Sequence, residues 1–460
     1  MESVRPQYTA SEFELRGYDY DIEHVPLDAR KSTASLTVIW IGWAFQFATI
    51  IVGGIIGAGL PLATAIWAII IGDVILALLS ITTGLIGRRT GLGFSMLTRY
   101  PFGHVGTLVP SFIAGLVQLG WLTFCYWIFA LTVANILPFG ITAGYVIGLV
   151  VIVLITAIPV AYGYEGPKWV AWITIPLFLI PLGVALWLII SNAGGPDVVF
   201  TKYVPPKPVS FIYAVNLAMG AWFFGALTCP DWTRLGKSDW AAYIAPPAGL
   251  IIGESLVLIL GATTSAATMG KTWNPVEATA AIGGATAMAV LLTYLVGMWN
   301  TTAPTAWSAS MQFANIFKRP KTIFGIILSF FAFVGALVIQ FSVGAGPAMD
   351  AFLGMLSAVV PPAAGIVVCQ YWFVSRGKLP HVWDLKRQIN PIAFIVWIIA
   401  AVIDTLTRNA YSAAGPGVGV EYGLPGLNGF VIAIVGYYVL TMVAKAFGSK
   451  ELTPDTVSES

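Results

Sequence analysis

The chain has 460 residues, of which 58% are hydrophobic and only 10% are charged. Soluble domains carry about a quarter charged residues, so this composition excludes an ordinary soluble domain and indicates a polytopic membrane protein. The formal net charge of +2 says little by itself, and we expect no nucleic-acid partner and no obligate protein partner.

The first 35 residues are polar and charged, which predicts a cytoplasmic tail (1–35) without a cleaved signal peptide. Apolar runs near the ~20 residues needed to cross the hydrocarbon core then follow one another. They predict an all-α fold of twelve transmembrane helices, with a second tail over 448–460. The predicted spans are 36–59, 61–86, 107–136, 141–162, 169–191, 210–229, 241–268, 284–312, 322–342, 351–374, 391–406 and 425–447.

The distribution of Lys and Arg predicts the orientation of these spans. If the N-terminus is cytoplasmic, all but four of the 23 Lys and Arg residues fall in cytoplasmic segments. The exceptions are Lys202, Lys207, Lys271 and Arg408. This bias follows the positive-inside rule and predicts a cytoplasmic-membrane protein with both termini in the cytoplasm.

Two pairs of segments resemble each other at nearly constant offset. GWAFQF at 42–47 pairs with GAWFFG at 220–225, and IIIGDVILALL at 69–79 pairs with LIIGESLVLIL at 250–260. They suggest that the five spans of 36–191 and the five of 210–374 are copies, with 391–447 appended. Because five is odd, the repeat is inverted, which is typical of secondary transporters.

Such transporters bind substrate and ion where the first helix of each repeat is broken. In the second copy, Gly220 and Gly225 permit a break, and the intervening Trp222, Phe223 and Phe224 either stack on a planar substrate or pack between helices. The matching place in the first copy has Gly42, Phe45 and Gln46, and Gly53-Gly54 would allow a further break. Gln46 is the only amide of the first span, and polar groups at membrane depth usually face a cavity.

The third and eighth spans carry further candidates. Gln118, Trp121 and Cys125 share one helical face, where Trp121 either stacks on a ring or packs in the bundle. Gly297, Asn300 and Thr301 cluster a carbonyl, an amide and a hydroxyl, and Pro304 leaves the carbonyl of Asn300 without its helical partner. Neutral oxygens suit a small monovalent cation, although Asn and Thr also link helices to one another.

The remaining polar groups give weaker signals. Asp73 and Glu254, matched in the repeat, could relay protons, but their position next to glycines favours a structural role in which each caps or links helices. We expect Asp404 to be interfacial. No cysteine pairing, metal-ligand spacing, catalytic cluster or nucleotide-binding signature is apparent, so we expect no enzyme and no organic cofactor. A channel is the rival from another class, and the chain has no pore loop or ring of charges.

In these motifs the chain resembles the nucleobase:cation symporter-1 family, and particularly its cytosine permease branch. The resembling stretches cover most of residues 36 to 375 in the family order: GWAFQFATIIVGGIIGAG, GLIGRRTGLGFSMLTRYPFG, VPSFIAGLVQLGW, GALTCPDWTRLGK, WNTTAPTAWSASMQFANIF and SAVVPPAAGIVVCQYW. The resemblance implies a LeuT-like bundle of five plus five inverted spans that imports a nucleobase with Na⁺ or H⁺. A same-fold carrier for hydantoin, allantoin or an amino acid remains the alternative.

The resemblance also implies residue roles. The substrate site would comprise Trp121 as the stacking residue, Gly220, Ala221, Trp222 and Phe223 at the break of the sixth span, and Gln46, Cys125 and Thr302 as polar neighbours. The Na⁺ site would take carbonyls from Gly42, Phe45 and Gly297 and side chains from Asn300 and Thr301. Asn300 stands where the family usually has Ser or Thr, and Cys125, Thr302 and Ala306 stand where substrate-reading amides often occur.

Overall fold

The computed structural model describes residues 19–206, 208–272, 274–319, 321–413 and 423–449. Across these ranges the regular structure is helical, apart from one isolated bridge between Lys31 and Gly236. The expected all-α fold is therefore confirmed for this part of the chain. The predicted tails up to residue 18 and from residue 450 lie outside it, as do Lys207 and the side chain of Arg408.

The α-helices of the described residues run in chain order as α1 (Thr33–Ala44), α2 (Ile50–Gly59), α3 (Leu62–Thr90), α4 (Phe94–Leu97), α5 (Arg99–Phe102), α6 (Leu108–Ile136), α7 (Ile141–Ala161), α8 (Glu165–Asn192), α9 (Phe211–Leu227), α10 (Pro230–Thr233), α11 (Trp240–Ala248), α12 (Ser255–Ala267), α13 (Pro275–Ile282), α14 (Gly284–Phe317), α15 (Thr322–Val338), α16 (Ala345–Cys369), α17 (Pro391–Ala413) and α18 (Leu427–Ala446). Short 3-10 helices cover Leu27–Ala29 and Phe47–Thr49, and π-helices cover Val198–Lys202, Gly249–Glu254, Ile339–Val343 and Gln370–Val374.

Ten helical segments of the described chain are long and apolar enough to cross a membrane. Two predicted spans do not meet that standard. α14 covers the predicted span 284–312 without interruption, but buried Asn, Thr, Ser and Gln side chains fill its second half. The apolar part of α17, Pro391–Thr407, is short. The chain is a multi-pass membrane protein, and the count of twelve spans stays a prediction.

The first apolar run folds as two helices with an interruption between them. α1 ends at Ala44, Phe45 and Gln46 have non-helical ψ angles of 43° and 94°, and α2 follows after a 3-10 turn. The further break expected at Gly53-Gly54 is wrong, because both residues are helical. α2 packs so tightly on α12 that a Cβ on Gly53 would lie 2.1 Å from the carbonyl oxygen of Leu258.

The predicted break in the sixth apolar run is also wrong, since α9 continues through Gly220 and Gly225. Gly225 serves packing rather than unwinding: the Trp222 ring lies against it, and a Cβ there would approach the ring to 2.1 Å. The helix ends instead at Leu227, close to the end of the predicted span 210–229, and α10 begins at Pro230. Proline suits a first helical position because its missing N–H needs no partner there.

Asp404 is fully buried in the protein, and its position at the membrane interface stays a prediction. Its Oδ1 accepts hydrogen bonds from the backbone N–H groups of Gly426 at 2.5 Å and Gly429 at 3.2 Å. The N–H groups at the start of a helix lack helical partners and favour an anion. Asp404 therefore ties α17 to the start of α18.

Residues 19–31 form an N-terminal strap across one end of the helix bundle. Its backbone pairs with the loops after α3 and α10: the N–H of Val25 donates to Gly91 at 3.0 Å, and the N–H of Lys31 donates to Leu235 at 2.6 Å. These bonds join the strap to two loops that are far apart in sequence.

An ion cluster fixes the strap to the start of α15. The Lys321 ammonium lies 2.8 Å from a carboxylate oxygen of Asp19 and 2.9 Å from one of Asp21. Lys321 and Asp21 have no exposed side-chain area, and Trp307 of α14 donates its indole N–H to Asp19 at 3.1 Å. Removing one partner of a buried ion pair is strongly destabilising, because the remaining charge stays buried without its partner.

We expect Lys321→Met to lower the free energy of unfolding by about 3–5 kcal/mol, because it leaves Asp21 buried without its cation. Thermal unfolding of the purified protein in detergent measures this loss. Lys202→Met is the matched control: its partner Asp197 is exposed, and exposed ion pairs contribute little. Equal melting temperatures for the two variants would contradict the role of the cluster.

His24 makes the strap sensitive to acid. Burial lowers the pKa of His24, the hydrogen bond with Thr90 opposes this, and the neighbouring His381 and Arg30 lower it further. The fold thus favours neutral imidazole, so the unfolded chain takes up a proton first and stability is lost as pH falls through about 6.5. The melting temperature of the native protein should fall more between about pH 7.5 and 5.5 than that of His24→Gln. If the melting temperatures of the two proteins fell equally with pH, His24 would not be the source of the acid sensitivity.

Candidate functional site

The interruption between α1 and α2 faces α14. The Thr301 hydroxyl donates to the carbonyl oxygen of Phe45 at 2.9 Å and lies 3.3 Å from that of Gly297. All three residues are buried. Backbone groups freed by a break at membrane depth need other partners, and here one hydroxyl and two carbonyl oxygens converge.

The Asn300 amide packs against α1 on the same side. A Cβ on Gly42 would lie 2.4 Å from its Nδ2 and 2.8 Å from its Oδ1, so a side chain at position 42 would displace it. Asn300 is 1% exposed, and its Oδ1 has no hydrogen-bond partner. A buried oxygen without a partner is unusual and is available to a cation. The structure thus brings Gly42, Phe45, Gly297, Asn300 and Thr301 together between α1 and α14.

These oxygen atoms fit a small monovalent cation as ligands, since they are hard oxygens and none belongs to a carboxylate. The ring of Phe178 closes one side of the cluster: it packs edge-on against Phe45 at a centroid distance of 4.9 Å. It also occupies the space beside Gly297, where a Cβ would meet the ring at 2.4 Å. Sequence reasoning missed Phe178, because a phenylalanine in an apolar run gives no signal that separates it from ordinary packing.

A hydrogen-bond chain joins α1 to α14 beside the cluster. The indole N–H of Trp43 donates to the Thr305 hydroxyl at 3.0 Å, which donates to the carbonyl oxygen of Thr301 at 2.8 Å. Neither Trp43 nor Thr305 was predicted. The available signal was the spacing of Thr305, which stands four residues after Thr301 and so on the same helical face.

On the other side of the interruption, Gln46 turns towards α6. Its Nε2 lies 3.8 Å from the Sγ of Cys125. Trp121, one turn earlier on α6, meets Phe352 of α16 edge-on at 5.0 Å between ring centroids. Gln118 is also buried, and its Nε2 has no hydrogen-bond partner. The structure therefore brings Gln46 to the α6 face that carries Trp121.

The two predicted rings of α9 lie elsewhere. Trp222 packs edge-on against Trp43 of α1 at a centroid distance of 4.9 Å. Phe223 packs towards Gly426, where a Cβ would come within 3.0 Å of its ring. Trp222 is thus held against α1 in the described structure, where Trp40 also lies within 6.1 Å of it between ring centroids. Adjacent helical residues point about 100° apart, which separates Trp222 from Phe223.

The other predicted substrate residues lie in different surroundings from one another. Gly220 borders open space, with no heavy atom within 4 Å of a Cβ placed on it, whereas Ala221 is buried. Thr302 turns to α7, where it accepts a hydrogen bond from Thr156 at 3.0 Å. Asn216, one turn before Gly220 on the same face of α9, is partly exposed. It was not predicted, although it is the only amide in that apolar run.

A multi-pass helical chain with a broken helix beside buried oxygen ligands has the architecture of a secondary transporter. Residues 24–426 match the family described as permease for cytosine/purines, uracil, thiamine, allantoin. The chain belongs to this family, the nucleobase:cation symporter-1 family, as its motifs indicated.

The cytosine permease of Escherichia coli (strain K12) is 28% identical over 424 residues, covering 91% of this chain and 93% of that protein. The hydantoin permease of Microbacterium maritypicum is 26% identical over 413 residues, covering 83% and 82%. A solved nucleobase-cation-symport-1 family transporter, closed with bromovinylhydantoin bound, has a TM-score of 0.76 at 24% identity, covering 95% and 98%. A Na⁺-coupled sialic acid symporter has a TM-score of 0.65 at 12% identity, covering 97% and 95%. Both solved structures share the multi-pass helical fold of this chain.

Proposed function

We propose that this chain is a secondary active transporter that imports a nucleobase such as cytosine or a purine, or a related heterocycle, together with a cation. The interruption at Phe45–Gln46 carries this proposal. On one side of it, buried oxygens converge with the unpartnered Oδ1 of Asn300. On the other side, Gln46 faces Cys125 near Trp121. A cation would thus bind at Phe45, and a flat polar molecule would bind at Gln46, the next residue of the same backbone segment.

The proposed topology has twelve spans in the cytoplasmic membrane, with both termini in the cytoplasm. Residues 36–191 and 210–374 form the inverted five-span repeats, and 391–447 adds two spans. The two polar or short helices, α14 and α17, complete the count. α14 lies between α6 and α8, so its polar half is covered by protein rather than by lipid.

The proposed Na⁺ ligands are the carbonyl oxygens of Gly42, Phe45 and Gly297 and the side chains of Asn300 and Thr301. The Thr301 hydroxyl now places its hydrogen towards Phe45. A cation there would take the place of that hydrogen between the two oxygens and would add the Oδ1 of Asn300. Filling this site would hold α1 against α14.

The proposed substrate site uses Trp121 for stacking and Gln46 for hydrogen bonding to the edge of the ring, with Cys125 beside it. Gly220 leaves space on the α9 side, and Asn216 offers a second amide. Trp222 and Phe223 would reach the substrate only after α9 turns, since both are held by other contacts.

Coupling follows from the adjacency of Phe45 and Gln46. A cation that fixes the carbonyl of Phe45 also restricts the backbone of Gln46, and so prepares the amide for the substrate. One positive charge that enters down a 100 mV potential contributes about 2.3 kcal/mol, roughly fiftyfold in accumulation. Movement of the helix bundle would then expose both sites to the other side of the membrane.

Binding of cytosine, adenine, uracil, hydantoin and allantoin to the purified protein tests the substrate class. We expect one ring compound to bind, and Trp121→Ala to weaken it roughly ten- to hundredfold, because stacking on an aromatic side chain contributes about 1–3 kcal/mol. Trp121→Phe keeps an aromatic face and should retain most of the affinity. If no ring compound binds, or an amino acid binds instead, the nucleobase assignment fails.

Two adjacent threonines test the cation site. Na⁺ should raise the melting temperature of the native protein above that in K⁺. Loss of an outer-shell partner typically costs about 10–100-fold in metal affinity. Thr301→Val removes a proposed direct ligand, so the Na⁺ concentration needed for the same rise in melting temperature should increase by more than that. Thr302→Val removes a neighbouring hydroxyl that faces Thr156 and should behave like the native protein. A native protein indifferent to Na⁺, or two variants with the same response, would refute the site.

A further inference from the structure

Two carboxylic acids lie in the interior of the helix bundle, Asp73 in α3 and Glu254 at the end of the π-helix Gly249–Glu254. Both are 0% exposed. The Ser255 hydroxyl donates to one oxygen of Asp73 at 2.5 Å, so Asp73 does link two helices as expected. Glu254 does not: neither of its oxygens has a hydrogen-bond partner, and the second oxygen of Asp73 has none either. A purely structural role therefore leaves three buried oxygens unexplained.

No cation balances these acids among the described side chains. α1, α2, α9, α11 and α12, which pack around them, contain no Lys, Arg or His. Other titratable side chains on the neighbouring elements are partly exposed or bonded elsewhere: Arg88, Arg89, Lys202, Tyr213, Asp231 and Tyr243.

An ionised carboxylate in such a place is strongly disfavoured, because it loses its hydration and gains no partner. Two such charges would also repel, since Ser255, which donates to Asp73, is the residue after Glu254 and so places the two acids near each other. Binding a proton removes both penalties, and intramembrane acids are typical of proton pathways. The Ser255 hydroxyl supplies a hydrogen bond to one oxygen of Asp73 but no proton. Each acid would therefore take up one proton from water to become neutral.

The position of the pair connects it to the helices of the proposed transport site. The glycine before each acid makes a close backbone contact. A Cβ on Gly72 would lie 3.0 Å from the carbonyl oxygen of Val215 in α9, and one on Gly253 would lie 2.8 Å from that of Ile41 in α1. A movement of α1 or α9 would therefore displace the acids. π-helical turns within α-helices are also frequent at functional sites.

We propose that Asp73 and Glu254 form a proton site of the transport cycle, separate from the oxygen cluster at Phe45. The pair is neutral in the described conformation. When the helices move and water reaches the pair, the O–H bond of one acid breaks, the proton passes to water and a carboxylate remains. The return movement takes a proton from the opposite side. This inference rests on the proposed transport function and adds H⁺ as a second coupled ion.

Infrared spectroscopy of the purified protein tests occupancy without any substrate. At neutral pH, where ordinary Asp and Glu are ionised, the native protein should retain the carbonyl stretch of a protonated carboxyl group. Asp73→Asn and Glu254→Gln should each reduce that band. Glu165→Gln, which removes a part-exposed carboxylate paired with Lys31 and Lys168, should leave it unchanged. Absence of the band in the native protein would overturn the proposal.

Uptake into liposomes of whichever ring compound binds tests coupling. At fixed voltage and Na⁺, a pH difference with the acid side outside should raise accumulation by the native protein about tenfold per pH unit for one proton. Glu254→Gln should remove this response and keep Na⁺-dependent binding. A native protein that accumulates substrate without regard to pH would refute coupling. If no ring compound enters at any pH, the nucleobase assignment fails, and the infrared band still decides the proton site.

Discussion

The interruption of the first membrane helix is the constraint around which the rest of the bundle is arranged. Phe45 and Gln46 lack helical geometry, so the carbonyl oxygen of Phe45 needs a partner from outside its own helix, and lipid offers none. α14 meets this demand on one side with the Thr301 hydroxyl and a brace from Trp43 to Thr305. α6 meets the Gln46 side chain on the other. A defect in one helix thus determines which polar residues its neighbours carry.

This arrangement explains why the polar half of α14 is buried in the protein. α14 is buried through most of its second half, including Asn300 and its polar neighbours. Most of those groups have partners in the protein. Two atoms of α14 lack one, the Oδ1 of Asn300 beside the interruption and the Oε1 of Gln312 nearer the end of the helix. Unpaired buried polar atoms are rare in folded proteins, and the Asn300 atom is the one that lies beside the freed carbonyl oxygen of Phe45.

The sequence predicts the parts of this structure that depend on local spacing. Gly297, Asn300 and Thr301 share a helical face whatever surrounds them, so their convergence on α1 could be anticipated. Gly225 could not be interpreted correctly, because a glycine between aromatics can either unwind a helix or seat a ring, and only the position of Trp222 distinguishes the two. The strap was equally inaccessible, since Asp21 and Lys321 are about three hundred residues apart and nothing local joins them.

The glycines of the seventh apolar run have a mechanical consequence. α1 lies against the π-helix, where Gly249 and Gly253 meet its backbone, and α2 lies against α12, where Gly261 would bring a Cβ within 2.3 Å of the carbonyl oxygen of Ile50. One continuous helical run therefore contacts both halves of the broken helix, and this contact restrains how far the two halves can bend relative to each other at the interruption. In a transport cycle, the two halves and this run would move together relative to the helices around them.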